Sequence, residues 1–243
     1  MKTLVVIPTY NEIENLETVV TKILGLNEPG LELLVVDDNS PDGTGALADH
    51  LAAADVRVHV LHRAEKNGLG GAYLAGFAWG RARDYDVLCE MDADGSHNPA
   101  DLPRLLQAVA DGADLAIGSR RVKGGHVVGW GPHRHVMSWG AATLSRLALG
   151  LKTHDITAGF RAYRATVIDQ LLAAGVKSNG YAFQEETVFL CERAGRRIVE
   201  VPVIFVDRRL GKSKLSPKEA RAFFATIVKL RRQRPPRMSK DGL

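Results

Sequence analysis

No apolar run in this chain is long enough to cross a bilayer, which takes about 20 predominantly apolar residues. The best candidate, residues 139–151, is interrupted by Ser145 and Arg146. The N-terminal stretch from Met1 to Pro8 has too short an apolar run for a signal peptide and lacks a cleavage pattern. These absences predict a cytoplasmic protein that does not itself span a membrane. Cysteine is scarce: Cys89 and Cys191 are the only two, each in an apolar stretch. That argues against a disulfide framework and predicts two buried thiols. The absence of low-complexity tracts and of 20–50-residue repeats excludes solenoids and arrays. The first strand-to-helix turn contains no glycine, so it is neither a dinucleotide-binding fingerprint nor a Walker loop.

What is present is an ordinary globular composition: 243 residues, 45% hydrophobic and 25% charged. This size and balance predict one α/β domain with a core that needs no covalent staples. The net charge of +4 is unevenly spread. From Lys214 onward nine Lys/Arg face only Glu219 and Asp241, a net of +7, which leaves residues 1–213 at −3. A basic end on a mildly acidic body can attract an anionic membrane surface or nucleic acid, or be simply a solvated end.

Four apolar runs bounded by turn residues read as buried strands, at 4–7, 32–36, 56–61 and 86–91. Helical patterns lie between them at 12–24, 43–54 and 69–83. This alternation predicts a mostly parallel central sheet with helices on both faces. A fifth strand is expected at 115–118, then a loop of about a dozen residues rich in glycine. Helices follow at 133–149, 166–174 and 183–194, with a strand at 199–206. Ser216-Pro217-Lys218-Glu219 is a capping box with proline at the first helical position, and opens an amphipathic helix over 216–232.

Ligands bind beyond the carboxyl ends of strands in such sheets, and each early strand here ends in polar groups. Asp92 and Asp94 follow the fourth strand directly. Residues two apart in extended chain point the same way, so both carboxylates can converge on one hard divalent cation, Mg²⁺ or Mn²⁺. Pro8-Thr9-Tyr10-Asn11-Glu12 ends the first strand; Tyr10 offers a face for a nucleobase and Glu12 an acceptor for ribose hydroxyls. Asp37-Asp38 ends the second and suits ribose or base recognition, though Asx-turns also explain such pairs.

Taken together, Pro8-Thr9-Tyr10-Asn11-Glu12, Val36-Asp37-Asp38-Asn39-Ser40-Pro41-Asp42-Gly43-Thr44, Gly68-Leu69-Gly70 and Met91-Asp92-Ala93-Asp94 resemble the inverting family 2 glycosyltransferases in order and interval. Further along, Gly118-Ser119-Arg120, Asp155-Ile156-Thr157-Ala158-Gly159-Phe160-Arg161, Phe183-Gln184-Glu185-Glu186 and Glu200-Val201-Pro202 resemble the dolichol/polyprenol-phosphate mannose synthases. So does the segment Phe205-Val206-Asp207-Arg208 with Gly211-Lys212-Ser213-Lys214-Leu215. The resemblance spans roughly residues 3–230.

The resemblance implies a GT-A (nucleotide-diphospho-sugar transferase) fold over residues 1–230. Its nucleotide-sugar half would cover 1–118 and its acceptor half 119–215. The C-terminal amphipathic helix would take 216–232, ahead of a basic flexible tail at 233–243. It further implies that Pro8, Tyr10, Glu12, Val36 and Asp38 cradle the nucleoside. Asp92, Ala93 and Asp94 would meet the diphosphate and its metal, with Ser96 where some members have a glutamine metal ligand. Arg120, Arg208 and Lys214 would line the phosphate-rich centre, and Arg134 with Ser138 would hold the acceptor phosphate beside Arg120. Catalysis falls to Asp94, Arg120, Arg208 and Lys214.

The reaction implied is transfer of mannose from GDP-mannose to a polyprenyl or dolichyl phosphate, with inversion. Since a phosphate oxygen is already anionic near neutral pH, no carboxylate is expected to act as an essential base. Asp155 and Glu186 would instead orient arginines or sugar. The lipid acceptor implies a peripheral position on the cytoplasmic face of a membrane, with helices 133–149 and 216–232 as contacts. A membrane-embedded partner subunit or separate anchoring domain is compatible with this. The enzymatic alternative is glucosyl transfer from UDP-glucose. A sugar nucleotidyltransferase would want a glycine-rich first turn, and a nucleic-acid-binding role leaves the acidic body unexplained, so no nucleic-acid partner is expected.

Overall fold

The computed structural model describes residues 1–178, 180–207 and 225–231. Arg208, Lys214, the start of the expected 216–232 helix and the tail 233–243 lie outside the described residues; 225–231 are helical.

Period-two alternation of fully apolar residues explains the centre of the molecule. In β1 (Thr3–Thr9), Leu4 and Val6 pack into one core while Val5 and Ile7 pack into another; β2 (Leu31–Asp37) repeats this with Leu34 and Val36 against Leu33 and Val35. Strands buried on both faces are what a helix-covered parallel sheet requires. Next come β3 (Val58–His62), β4 (Val87–Glu90) and β5 (Leu115–Ser119). A short β6 (His126–Val128), then β7 (Arg161–Arg164), β8 (Ile198–Pro202) and β9 (Ile204–Val206) complete the strands. The seven-stranded sheet runs β3-β2-β1-β4-β7-β5-β8, and β6 pairs with β9 separately. Within the large sheet β7 is antiparallel to both neighbours, and the remaining pairs are parallel.

Helices α1 (Leu16–Leu24), α2 (Thr44–Ala54) and α4 (Leu102–Ala110) supply one core. Helices α3 (Leu69–Arg81), α6 (Ala165–Ala174) and α7 (Tyr181–Arg193) supply the other, joined by the inner side of α5 (Pro132–Leu149). α3 lies unusually close to the sheet. A Cβ at Gly76 would collide with Val6, and one at Gly80 would stand 2.8 Å from Leu4 Cδ2 and 2.7 Å from Leu88 Cδ2.

The expected sheet, its helices on both faces and the two buried, unpaired cysteines are all present. Several boundaries differ for identifiable reasons. The first helix begins at Leu16 rather than residue 12, because Asn11 takes a left-handed φ of 58° and residues 12–15 form a turn. The third strand starts at Val58; Val56 is 90% exposed and packs on nothing. The single strand expected at 199–206 is two. Pro202 ends the ladder with β5, and the chain then pairs with β6 inside the glycine-rich loop.

Candidate active site

The sheet order brings the polar ends of β2, β1 and β4 side by side, with β5 two places further on. At the β1 and β2 ends, Thr9 Oγ1 donates to Asp37 Oδ1 (3.0 Å), and Ser40 donates from both Oγ (2.6 Å) and N (3.1 Å) to the same carboxylate. Asp42 accepts from Thr44 N and Oγ1 and from Ile13 N, while Glu12 N donates to Thr44 Oγ1. The segment 37–44 therefore braces the turn at 9–13. Asp37 is consumed by that bracing. Asp38 is buried and salt-bridged to Arg63 Nη1 at 2.6 Å. Burial raises its pKa, against the opposing pull of Arg63. The Lys66 ammonium sits 3.6 Å over the Tyr10 ring. Of the expected nucleoside cradle, Pro8, Tyr10, Glu12 and Asp38 gather here, whereas the Val36 side chain is wholly within the core.

At the end of β4 the chain turns through Asp92-Ala93-Asp94. Tyr73 OH donates to Asp92 Oδ1 (3.2 Å) and Ser96 N donates to Asp94 Oδ1 (3.0 Å). Both carboxylates are half-buried, and Ala93 is buried beneath them. The Ser96 hydroxyl is buried without a hydrogen-bond partner. Two carboxylates and an uncommitted hydroxyl form an all-oxygen donor set, which fits a hard divalent cation completed by substrate phosphate oxygens. Asp92 N donates to His97 Nδ1 (3.2 Å), and the His97 ring stacks on Phe160 and meets Phe205 edge-on.

Phe205 links this turn to a second cluster. It packs against Trp130 at 5.8 Å, and the Arg120 guanidinium lies 5.1 Å from its ring. Arg120 follows the end of β5 and is gripped by Asp155. The carboxylate accepts from Arg120 N (2.9 Å), Nε (2.8 Å) and Nη2 (2.7 Å). Asp155 is itself completely buried. Burial alone would raise its pKa, but Arg120, aided by Arg121, overrides that and holds it at about 2. Glu200 of β8 secures the loop from behind, accepting from Ser119 Oγ, Asp155 N and His154 N.

Beside this pair is a cavity of about 220 Å³ whose wall includes Arg120, Arg121, Trp130 and Ser138. Ser138 is thus brought to Arg120, but its hydroxyl receives Arg121 Nη2 at 2.9 Å. Arg134 instead pairs with Asp207 (2.7 Å) and stacks over Trp130. Arg121, Trp130, Arg63 and Tyr73 were not anticipated. An arginine doublet directly after a strand end was the available sign for Arg121. Glu186 accepts from Ser178 N and lies 3.9 Å from Lys229 of the last helix.

Residues 4–172 match the glycosyl transferase family 2 model. The chain belongs to that family. This family 2 enzyme is 55% identical to the undecaprenyl-phosphate mannosyltransferase of Micrococcus luteus, over 89% of this chain and 88% of that protein. It is 56% identical to the polyprenol monophosphomannose synthase of Mycolicibacterium smegmatis, over 90% and 83% respectively. Among solved structures, glucosyl-3-phosphoglycerate synthase from Mycobacterium tuberculosis, in complex with Mn²⁺, UDP-glucose and phosphoglyceric acid, superposes with a TM-score of 0.69. That match has 21% identity and covers 95% of this chain and 79% of the other. At that identity the likeness concerns the fold, and the GT-A architecture expected of this glycosyltransferase is the one it has.

Proposed function

We propose that this glycosyltransferase moves mannose from GDP-mannose to the monophosphate of a polyprenyl lipid, inverting the anomeric carbon. The geometric observation that carries this reading is the arginine-walled cavity joined to the Asp92–Asp94 turn through Phe205, a place suited to an acceptor that is itself a phosphate. The sugar and the lipid follow the names of the two relatives above 50% identity.

The cleft at β1 and β2 would hold the nucleoside, with Asp38 kept in place by Arg63. Asp92 and Asp94, with Ser96 at hand, would hold a divalent cation, which supplies Lewis-acid neutralisation of the departing diphosphate. Arg120 would face the acceptor phosphate. Its rotamer is fixed in advance by Asp155, so no ordering is needed when the substrate arrives. Asp155 is committed to that task and, with a pKa of about 2, is a poor proton acceptor. None is required, because the attacking phosphate oxygen is already ionised. Arg208 and Lys214 belong to the same reading by motif, outside the described residues.

The lipid tail would bring the chain to the cytoplasmic face of a membrane. No helix among the described residues is long and apolar enough to cross one. α5 exposes Val136, Met137, Trp139, Leu144 and Leu147, an apolar surface that a bilayer would cover. The decisive experiment is transfer of labelled mannose from GDP-mannose to a short polyprenyl phosphate, with and without chelator. Product formation lost on chelation, and in Asp92→Ala/Asp94→Ala, is the expected result. Equal activity in that double variant would remove the metal assignment.

A further inference from the structure

The cation cluster behind the acceptor cavity is not balanced. Among the described residues Arg120 and Arg121 share the carboxylate of Asp155, and Arg120 has taken its hydrogen bonds. Arg121 Nε is ion-paired with Asp155 Oδ1 at 3.6 Å, beyond hydrogen-bond reach, and is buried without a hydrogen-bond partner. Its other bonds run to neutral acceptors, Ser138 O and Oγ. Burial works most strongly against its charge; Asp155 supports the charge, the neighbouring Arg120 and Arg146 oppose it, and the net shift is downward. The cavity wall itself offers no acidic side chain among the described residues. It holds His126 and His135 beside the two arginines, and the indole N–H of Trp130 is a second buried donor without an acceptor.

A buried guanidinium with a shared counter-ion is costly on its own. An unsatisfied buried donor adds to that cost. Two such donors around one cavity make its wall short of acceptor oxygens and of negative charge. We propose that Arg121 is the residue that makes this site select a doubly charged phosphate monoester over a singly charged phosphodiester. Arg120, already neutralised by Asp155, supplies direction; Arg121 supplies the charge that answers the acceptor's second negative charge. This rests on the reading of the acceptor as a phosphate and adds to it which acceptors are refused.

The test uses the full chain, with geranyl phosphate and its methyl ester as soluble probes at pH 8. There the monoester is a dianion, its second pKa being about 6, and the diester a monoanion. Wild type is expected to bind the monoester about tenfold or more tightly than the diester, the scale of one charge-assisted contact. In Arg121→Gln that preference should fall to about threefold or less, and Arg121→Lys should restore most of it. Binding of GDP with Mn²⁺ should be unchanged in both, which a variant that merely loosened α5 and the fold would not achieve. An undiminished monoester preference in Arg121→Gln overturns the proposal. So does a parallel loss of GDP–Mn²⁺ affinity. If wild type bound neither probe while still binding GDP, the phosphate-acceptor reading itself would fail, a different and recognisable outcome.

Discussion

Single side chains in this protein divide into those a strand-end motif announces and those that only packing reveals. Asp92 and Asp94 belong to the first kind, since a pair two apart after an apolar strand is visible in one dimension. Arg121 belongs to the second, since its bonds to Ser138 exist only in the folded chain. The grip of Asp155 on Arg120, 35 residues away, was expected only through the family resemblance. Glu185 is a further case. It is fully buried, both its carboxylate oxygens lack partners, and burial pushes its pKa up to about 8. Because the folded state holds this proton more tightly than an unfolded carboxyl near 4.5, its contribution to stability is complete below about pH 4.5. It declines as pH rises and has been lost above about pH 8. Glu185→Gln removes that slope. Thermal melts of the variant and wild type should therefore differ little at pH 4.5 and increasingly favour the variant toward pH 9.

Among the elements, the early βα alternation was readable because each strand is apolar on both faces and each helix carries a spaced apolar stripe. Three elements escaped, the short β6 inside the expected glycine-rich loop among them. α4 has Leu102, Leu105, Leu106 and Val109 at helical spacing, a legible signal masked by the proline at its start. β7 had none. Its sequence Arg-Ala-Tyr-Arg lacks an apolar run, and Arg161 is nevertheless completely buried. That is possible because Arg161 donates to Ala158 O, Ile156 O, Gln184 O, Thr187 Oγ1 and the Tyr163 hydroxyl, which in turn bonds Glu90. Tertiary satisfaction of a charge cannot be read from periodicity.

Helix contacts also make opposite predictions for two glycines. Gly76 of α3 has no room for a methyl group against Val6, so Gly76→Ala should lose stability, overpacking costing about 1–3 kcal/mol against a helix-propensity gain of about 1. Gly140 of α5 faces open space, so Gly140→Ala should gain up to about 1 kcal/mol. Urea denaturation of the two variants reads both signs.

For the molecule as a whole, the sheet sets the order in which ligands meet. In the proposed reading, nucleoside, diphosphate and acceptor would fall along β2-β1-β4 and then β5, with the acceptor side drawing on elements farther apart in sequence. Donor binding should accordingly stabilise the whole fold. With GDP and Mn²⁺ at 100 times Kd, about 2.7 kcal/mol is added, roughly 5–10 °C in Tm at this size. UDP should give a smaller shift, and chelator should abolish most of either. A UDP shift equal to or above that of GDP would favour the glucosyl alternative.

The antiparallel strand β7 lies between β4 and β5, whose ends carry the two candidate sites. Arg161 pairs across to Glu90 on one side and to Ile117 on the other. Six residues upstream is Asp155, and Gly159 of the connecting segment lies against Asp92, a Cβ there coming within 3.8 Å of its Oδ2. Strand side chains alternate, so a slip of one residue turns every one to the opposite face. Between Asp155 and Arg164 the chain therefore has no freedom of length. Inserting or deleting a single residue there would carry Arg161 away from Glu90 and shift the grip on Arg120 at the same stroke. In the exposed turn 82–84, at the far end of β4 from Asp92, the same change would be absorbed. Tolerance to insertion should thus be a map of the active site, with its sharpest minimum at a segment of ten residues that no apolar pattern marks.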